Sequence, residues 1–70
     1  MDVISPAVLA RIRNRGISKG DWEYCIEHPT DTYQHRGDTV YVGMLQDGRH
    51  IKVSVRPGSE RSIANAFCFQ

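Results

Sequence analysis

Three groups of side chains in this 70-residue chain could do chemistry. The first is the run Arg11-x-Arg13-x-Arg15. Guanidinium forks match phosphate oxygens, so gathered arginines can hold a phosphate backbone. The second is the set Tyr41, His50, Lys52, Ser54 and Arg56, which reads as the open face of a sheet. A histidine or tyrosine near lysine and arginine is the equipment of metal-free RNA cleavage. One group deprotonates the 2′-hydroxyl, another protonates the leaving oxygen, and cations stabilise charge on the phosphorane. The third is Asn65, a polar residue among Ile63, Ala64, Ala66 and Phe67. A buried amide must find hydrogen bonds or cost about 1–3 kcal/mol. Each group also has an ordinary reading: a solvated helix face, a wet strand surface, a structural hydrogen bond. Residue type alone does not choose between them.

The elements that must position these residues can be read from local signals. Ser5-Pro6 opens a first helix, with serine as N-cap and proline where a missing N–H costs nothing. Val8, Leu9 and Ile12 recur at helical spacing, and Gly16 ends the element. Ser18 with Asp21 forms a capping box for a second helix, whose apolar stripe is Trp22, Cys25 and Ile26 and which Pro29 stops. After Pro29 the period changes to two. Tyr33 and His35 alternate with Gln34 and Arg36, and Gly37-Asp38 reads as a turn. Val40, Val42 and Met44 share one face of the next strand, and Asp47-Gly48 is the strongest hairpin signal in the chain. Ile51, Val53 and Val55 mark the face that helices cover, and Pro57-Gly58-Ser59 turns the chain again. In the last strand Ile63, Asn65, Phe67 and Phe69 alternate with Ala64, Ala66 and Cys68. Apolar residues on both of its faces suggest a central strand or a covered outer face. The expected architecture is a single α+β domain over residues 1–70, two N-terminal helices packed on one face of a four-stranded antiparallel sheet.

Composition narrows the classes. Hydrophobic residues are 40% of the chain and charged residues 24%, a balance of a globular domain rather than a disordered one. No stretch approaches the ~20 apolar residues of a membrane span. The first residues do not read as a signal peptide, which leaves a cytosolic domain or a piece of a longer exported chain. Cys25 and Cys68 read as buried free thiols, with one helix-to-terminus disulfide as the alternative. His28, His35 and His50 lack metal-ligand spacing, so neither metal nor cofactor is expected. A net charge of +1 argues against a general nucleic-acid coat protein, but the charges are uneven. Arginines crowd the first helix, Arg49, Lys52, Arg56 and Arg61 lie in the C-terminal half, and Asp21, Glu23, Glu27 and Asp31 cluster in and after the second helix. Placing the first helix beside the third strand would give a basic face and an acidic edge. A winged-helix DNA reader fits poorly, because its groove-entering helix would carry those acids.

The stretch Ile4 to Ser18 comes first, followed by Trp22 to Pro29, Tyr41-Val42-Gly43, Asp47-Gly48-Arg49 with Ile51-Lys52-Val53, and Ile63-Ala64-Asn65-Ala66-Phe67. Together they resemble a widespread bacterial domain family of unknown function. Its members occur as stand-alone proteins and as C-terminal modules of contact-dependent and polymorphic toxins, related to the RelE/ParE and barnase–EndoU–colicin–RelE ribonucleases. The resemblance covers nearly the whole chain. Its most specific part is the run from Arg11 through Arg15-Gly16-Ile17-Ser18 and the helix ending at Pro29.

The resemblance implies a cleft where first helix, third strand and last strand meet, built from Arg15-Gly16, Tyr41, Lys52 and Asn65. Arg11, Arg15 and Arg56 would bind RNA phosphates, Lys52 would stabilise transition-state charge, and Asn65 would orient the substrate. Members carry a histidine at the start of the first helix, where this chain has Ala7, and often threonine or serine at the position of Asn65. Alanine transfers no proton, a loss of about 10²–10⁴ for a general acid or base. Three accounts of Ala7 stay open: activity lost and a binding role kept, another group in use with His50, His35, Tyr41 or Lys52 as candidates, or a deliberate replacement of the histidine. The resemblance thus implies a metal-independent ribonuclease toxin domain, or an inactivated form of one, acting on RNA in a bacterial cytoplasm. It also implies delivery as the C-terminal part of an exported toxin and a cognate immunity or antitoxin protein. The competing expectation is a non-catalytic module on the same scaffold that binds a protein or nucleic acid.

Overall fold

The computed structural model describes residues 2–58 and 61–69. Helix α1 spans Pro6–Asn14 and α2 spans Lys19–Glu27, followed by strands β2 (Asp31–His35), β3 (Asp38–Met44), β4 (His50–Arg56) and β5 (Arg61–Phe69). Those four strands form an antiparallel meander, so the α+β fold is as the sequence reads. One element escapes a pattern reading. Strand β1, Asp2–Val3, is too short to show a period and runs parallel to β5 at Arg61 and Ser62, giving the sheet order β1-β5-β4-β3-β2.

Local chemistry sets the helix ends. The Ser5 hydroxyl accepts from the Val8 N–H at 3.2 Å, ahead of Pro6. Gly16 takes φ +77°, which lets the chain reverse within three residues. At α2 the capping box closes both ways: Asp21 N–H donates to Ser18 Oγ at 3.2 Å, and Ser18 N–H donates to Asp21 Oδ2 at 3.0 Å. The first hairpin turns one residue earlier than expected. Arg36 and Gly37 carry positive φ of 51° and 84°, and Asp38 already pairs with His35 in β3. Positive φ at both central residues is what a two-residue hairpin turn requires. Of the Pro57-Gly58-Ser59 turn, Ser59 lies outside the described residues.

Ile12, Trp22, Cys25 and Ile26 from the helices, with Ile17 from the turn between them, pack onto Ile51, Val53, Val55, Ile63 and Ala66. Helix α2 lies over β3 and β4, and α1 lies over β5. The first helix therefore sits beside the last strand rather than beside the third strand of the meander. A bulge decides which face β5 presents. Ser54 pairs with Asn65 but Val55 pairs with Ile63, so Ala64 is the extra residue. The parity flips there: Ile63 joins Ala66 and Cys68 on the helix face, while Asn65, Phe67 and Phe69 take the open face. Simple alternation would have set Ile63 with Asn65. β5 is interior only at Arg61 and Ser62, where it lies between β1 and β4; beyond Ser62 no described strand flanks its outer edge.

Candidate nucleic-acid interface

Paired residues in an antiparallel sheet share a face. Lys52 pairs with Val42 and Phe67, and His50 pairs with Met44 and Phe69. Ser54 pairs with Val40 and Asn65, and Val40 in turn with Tyr33. The face turned away from the helices thus carries a central line of His50, Lys52, Ser54 and Arg56. Phe67, Phe69 and Asn65 flank it on β5, and Tyr33 lies on β2. Phe67 is 36% exposed, Tyr33 40% and Met44 51%, so this face offers rings and a thioether to solvent.

The Lys52 ammonium lies between two of these rings, 4.8 Å from the Phe69 centroid and 5.9 Å from that of Tyr33. Both distances fall within reach of a cation–π attraction. The His50 ring is tilted against Phe69 at 5.6 Å between centroids. Arg56, at the far end of β4, is mostly exposed and makes a loose ion pair with Asp38 at 3.6 Å.

Arg15 and Asn65 meet across 50 residues of sequence. The Arg15 guanidinium donates to Asn65 Oδ1 at 2.7 Å and to the Ala66 carbonyl at 2.9 Å. It thereby wraps the open edge of β5 and leaves a cation beside the open face. Ordering that arginine also gives Asn65 the hydrogen bond its position demands.

Other expected site residues lie elsewhere. Tyr41 pairs with Val53 and packs against the helix-side core, so it does not share a face with His50 and Lys52. The register through Val53 forces this, since a one-residue slip would expose the whole core set. The expected cleft of Arg15, Tyr41, Lys52 and Asn65 is therefore split by the sheet itself. Nor do Arg11, Arg13 and Arg15 act together: Arg13 is two residues from each of the others and points to a different side, and Arg15, the C-cap of α1, is drawn to β5. Arg11 is exposed, Arg13 lines a cleft with Lys19 and Glu23, and Arg15 turns to β5. Ala7 is exposed in the first turn of α1. Its neighbours Ser5 and Val8 share a cleft of about 310 Å³ with Arg56, Ser62, Ile63 and Ala64. His35 alone of these stays on the open face, at the tip of the first hairpin and opposite the Asp38 that pairs with Arg56.

Arg49 has a structural task that its place in a basic stretch does not show. It pairs with Asp47 at 2.7 Å and with Asp21 at 3.3 Å, and donates to the Gly16 carbonyl at 2.9 Å. The β3–β4 turn is thereby fastened to the α1–α2 turn. The hydrogen bond from the Arg49 backbone N–H, and then its guanidinium, holds the Asp47 carboxyl below its usual range. Cys25 and Cys68 are free thiols. Burial pushes the Cys25 thiol up to about 11, so it stays protonated, and it donates to the Tyr41 carbonyl at 3.4 Å.

The aromatic members of the open face were the residues missed. Their signal was present, in the apolar residues on both faces of the last strand, but it also fitted a covered strand. Among the described residues no helix is long and apolar enough to cross a membrane. Compared with protein-family profiles, curated proteins and solved structures, the chain finds no match in any of the three.

Proposed function

We propose that this chain is an RNA-binding domain that holds an unpaired strand on the open face of its sheet. The observation that carries this reading is Lys52 between the Phe69 and Tyr33 rings, in line with His50 and Arg56. An ammonium supplies phosphate attraction, and exposed rings supply stacking surface for bases freed from a duplex. Apolar rings interleaved with cations suit a strand whose bases and phosphates alternate. They suit a purely structural strand surface less well, because its rings would be covered.

Fluorescence anisotropy with a short unstructured RNA tests the reading. Phe69→Ala should weaken binding by about 1–3 kcal/mol while leaving its salt dependence unchanged. Lys52→Ala should lower the slope of log affinity against log salt by roughly 0.7. Binding that neither substitution alters would remove the open face from consideration.

A second reading, metal-independent cleavage of that RNA, is favoured by the cleft that Arg56 shares with the first turn of α1. A proton-transfer group placed at position 7 would stand in the turn bordering an exposed phosphate-binding cation. On this reading the chain is a ribonuclease toxin domain with its proton-transfer residue missing, His50 and His35 being the imidazoles on the open face. Its site of action would be bacterial cytoplasm, and a cognate immunity or antitoxin protein would cover the basic face with acidic residues. Ala7→His, assayed on total bacterial RNA in EDTA, should then cleave faster than the parent chain. Equal activity of two folded proteins would leave the binding reading standing alone.

A further inference from the structure

On the helix side, away from the open face, residues of α1, α2 and β5 line a cleft of about 440 Å³. Ile4 and Leu9 line it above the buried Trp22 indole, together with Arg13, Lys19, Arg61 and, among the described residues, one carboxylate, Glu23; Arg61 has a partner of its own. Arg13 and Lys19 make no ion pair or hydrogen bond with a described side chain, so their charges are not neutralised by contact. Trp22 is 1% exposed, and its Nε1–H is buried without an acceptor among the described residues. The cleft is more charged than most small-ligand sites, which favours an anion over a neutral ligand, and its size lies within the common range of about 300–1,000 Å³.

We infer that this cleft binds a small organic anion, a phosphate ester or carboxylate carried on a flat apolar body. The body would lie against the half-buried Leu9 and Ile4, above the buried indole, and the anion would face Arg13 and Lys19. This site is independent of RNA binding, because the open face lies on the other side of the sheet.

The chain's single tryptophan is buried directly beneath the cleft, so its emission can report on a ligand bound above it. Phenyl phosphate serves as the probe, with inorganic phosphate and phenol as its two halves. A saturable change in Trp22 emission is expected, at lower concentration for phenyl phosphate than for either half. Arg13→Gln and Lys19→Gln should each raise the half-saturating concentration roughly three- to fivefold, with unchanged far-ultraviolet circular dichroism. Excess unstructured RNA should leave the response in place. Three results would overturn the inference: no saturable response, phenol binding as tightly as phenyl phosphate, or a response that the two substitutions combined do not weaken. Displacement of the probe by RNA would overturn the assignment of a separate site.

Discussion

The two faces of one sheet are built from the same strands by different rules. On the helix side, Ile51 and Val53 are 0% exposed, and every neighbour in register is apolar or small. On the open side, Lys52 and His50 alternate with those residues, flanked by Phe67 and Phe69. The helix face settles the fold, since burying an aliphatic side chain contributes about 1.5–3 kcal/mol. The open face holds rings that such burial would favour but leaves them accessible under one ammonium. In so small a domain, apolar surface left uncovered suits recognition better than packing.

Substituting each face in turn should separate stability from binding. Ile51→Ala removes most of a side chain that is fully buried, and should cost about 2–5 kcal/mol. A 70-residue domain could lose its fold outright at that cost, so Ile51→Val, expected to cost about 0.5–1.5 kcal/mol, gives the graded measurement. Phe67→Ala on the other face should shift the urea midpoint far less and weaken RNA binding instead. Chemical denaturation and anisotropy on the same three proteins decide it. Equal losses of stability from Ile51→Val and Phe67→Ala would mean that the open face is packed in solution.

What the sequence made legible follows the distance over which each cause acts. Both helices could be placed because Ser5, Pro6, Gly16, Ser18 and Asp21 act within one turn of their own positions. The Asp47-Gly48 hairpin is equally local: the Leu45 N–H reaches the Arg49 carbonyl at 2.8 Å, and Gly48 takes φ +91°. The parity of β5 was not legible, because the bulge at Ala64 exists only through pairing with β4. Tyr41 was set with the open-face residues for a related reason: its side is fixed by Val53 across the strand, not by its own neighbours. The Arg15–Asn65 contact was half legible. Both residues stood out as chemical, but only folding brings them within 2.7 Å. At the candidate interface Lys52, His50 and Arg56 were found from alternation, whereas Phe67 and Phe69 gave the same signal as a core strand.

The covered face has one point of close approach. Gly43 is paired with Ile51 directly beneath Cys25 of α2. A Cβ there would lie 3.1 Å from Cys25 Sγ and 3.5 Å from its Cα. Alanine normally gains over glycine within a strand, by roughly 0.5–1 kcal/mol. Here the sulfur is held by its bond to the Tyr41 carbonyl and the Cα belongs to the helix, so α2 itself must shift. Gly43→Ala should therefore destabilise by about 1–2 kcal/mol. Adding Cys25→Ala removes the closest atom, and the double substitution should lose less than the sum of the singles. Additive losses would place the strain elsewhere than at that sulfur.

The smallest effect contrasts the two thiols, which share the helix side of the sheet but differ in depth. Cys25 is 1% exposed with its pKa raised from 9.0 to about 11 by burial, whereas Cys68 is half-buried at the sheet edge near Arg49. Only thiolate alkylates, and only where reagent can reach it. Iodoacetamide at pH 8 should therefore modify Cys68 in the folded protein and reach Cys25 only after unfolding, as peptide mass spectrometry would show. The same burial fixes the sign of a pH effect. The folded state keeps the Cys25 proton to higher pH than the unfolded chain does, so this contribution to stability is whole below about 9. It is lost as pH rises from 9 toward 11. Cys25→Ala should flatten that alkaline decline relative to the parent chain, and a decline of the same steepness in both would assign it to another group.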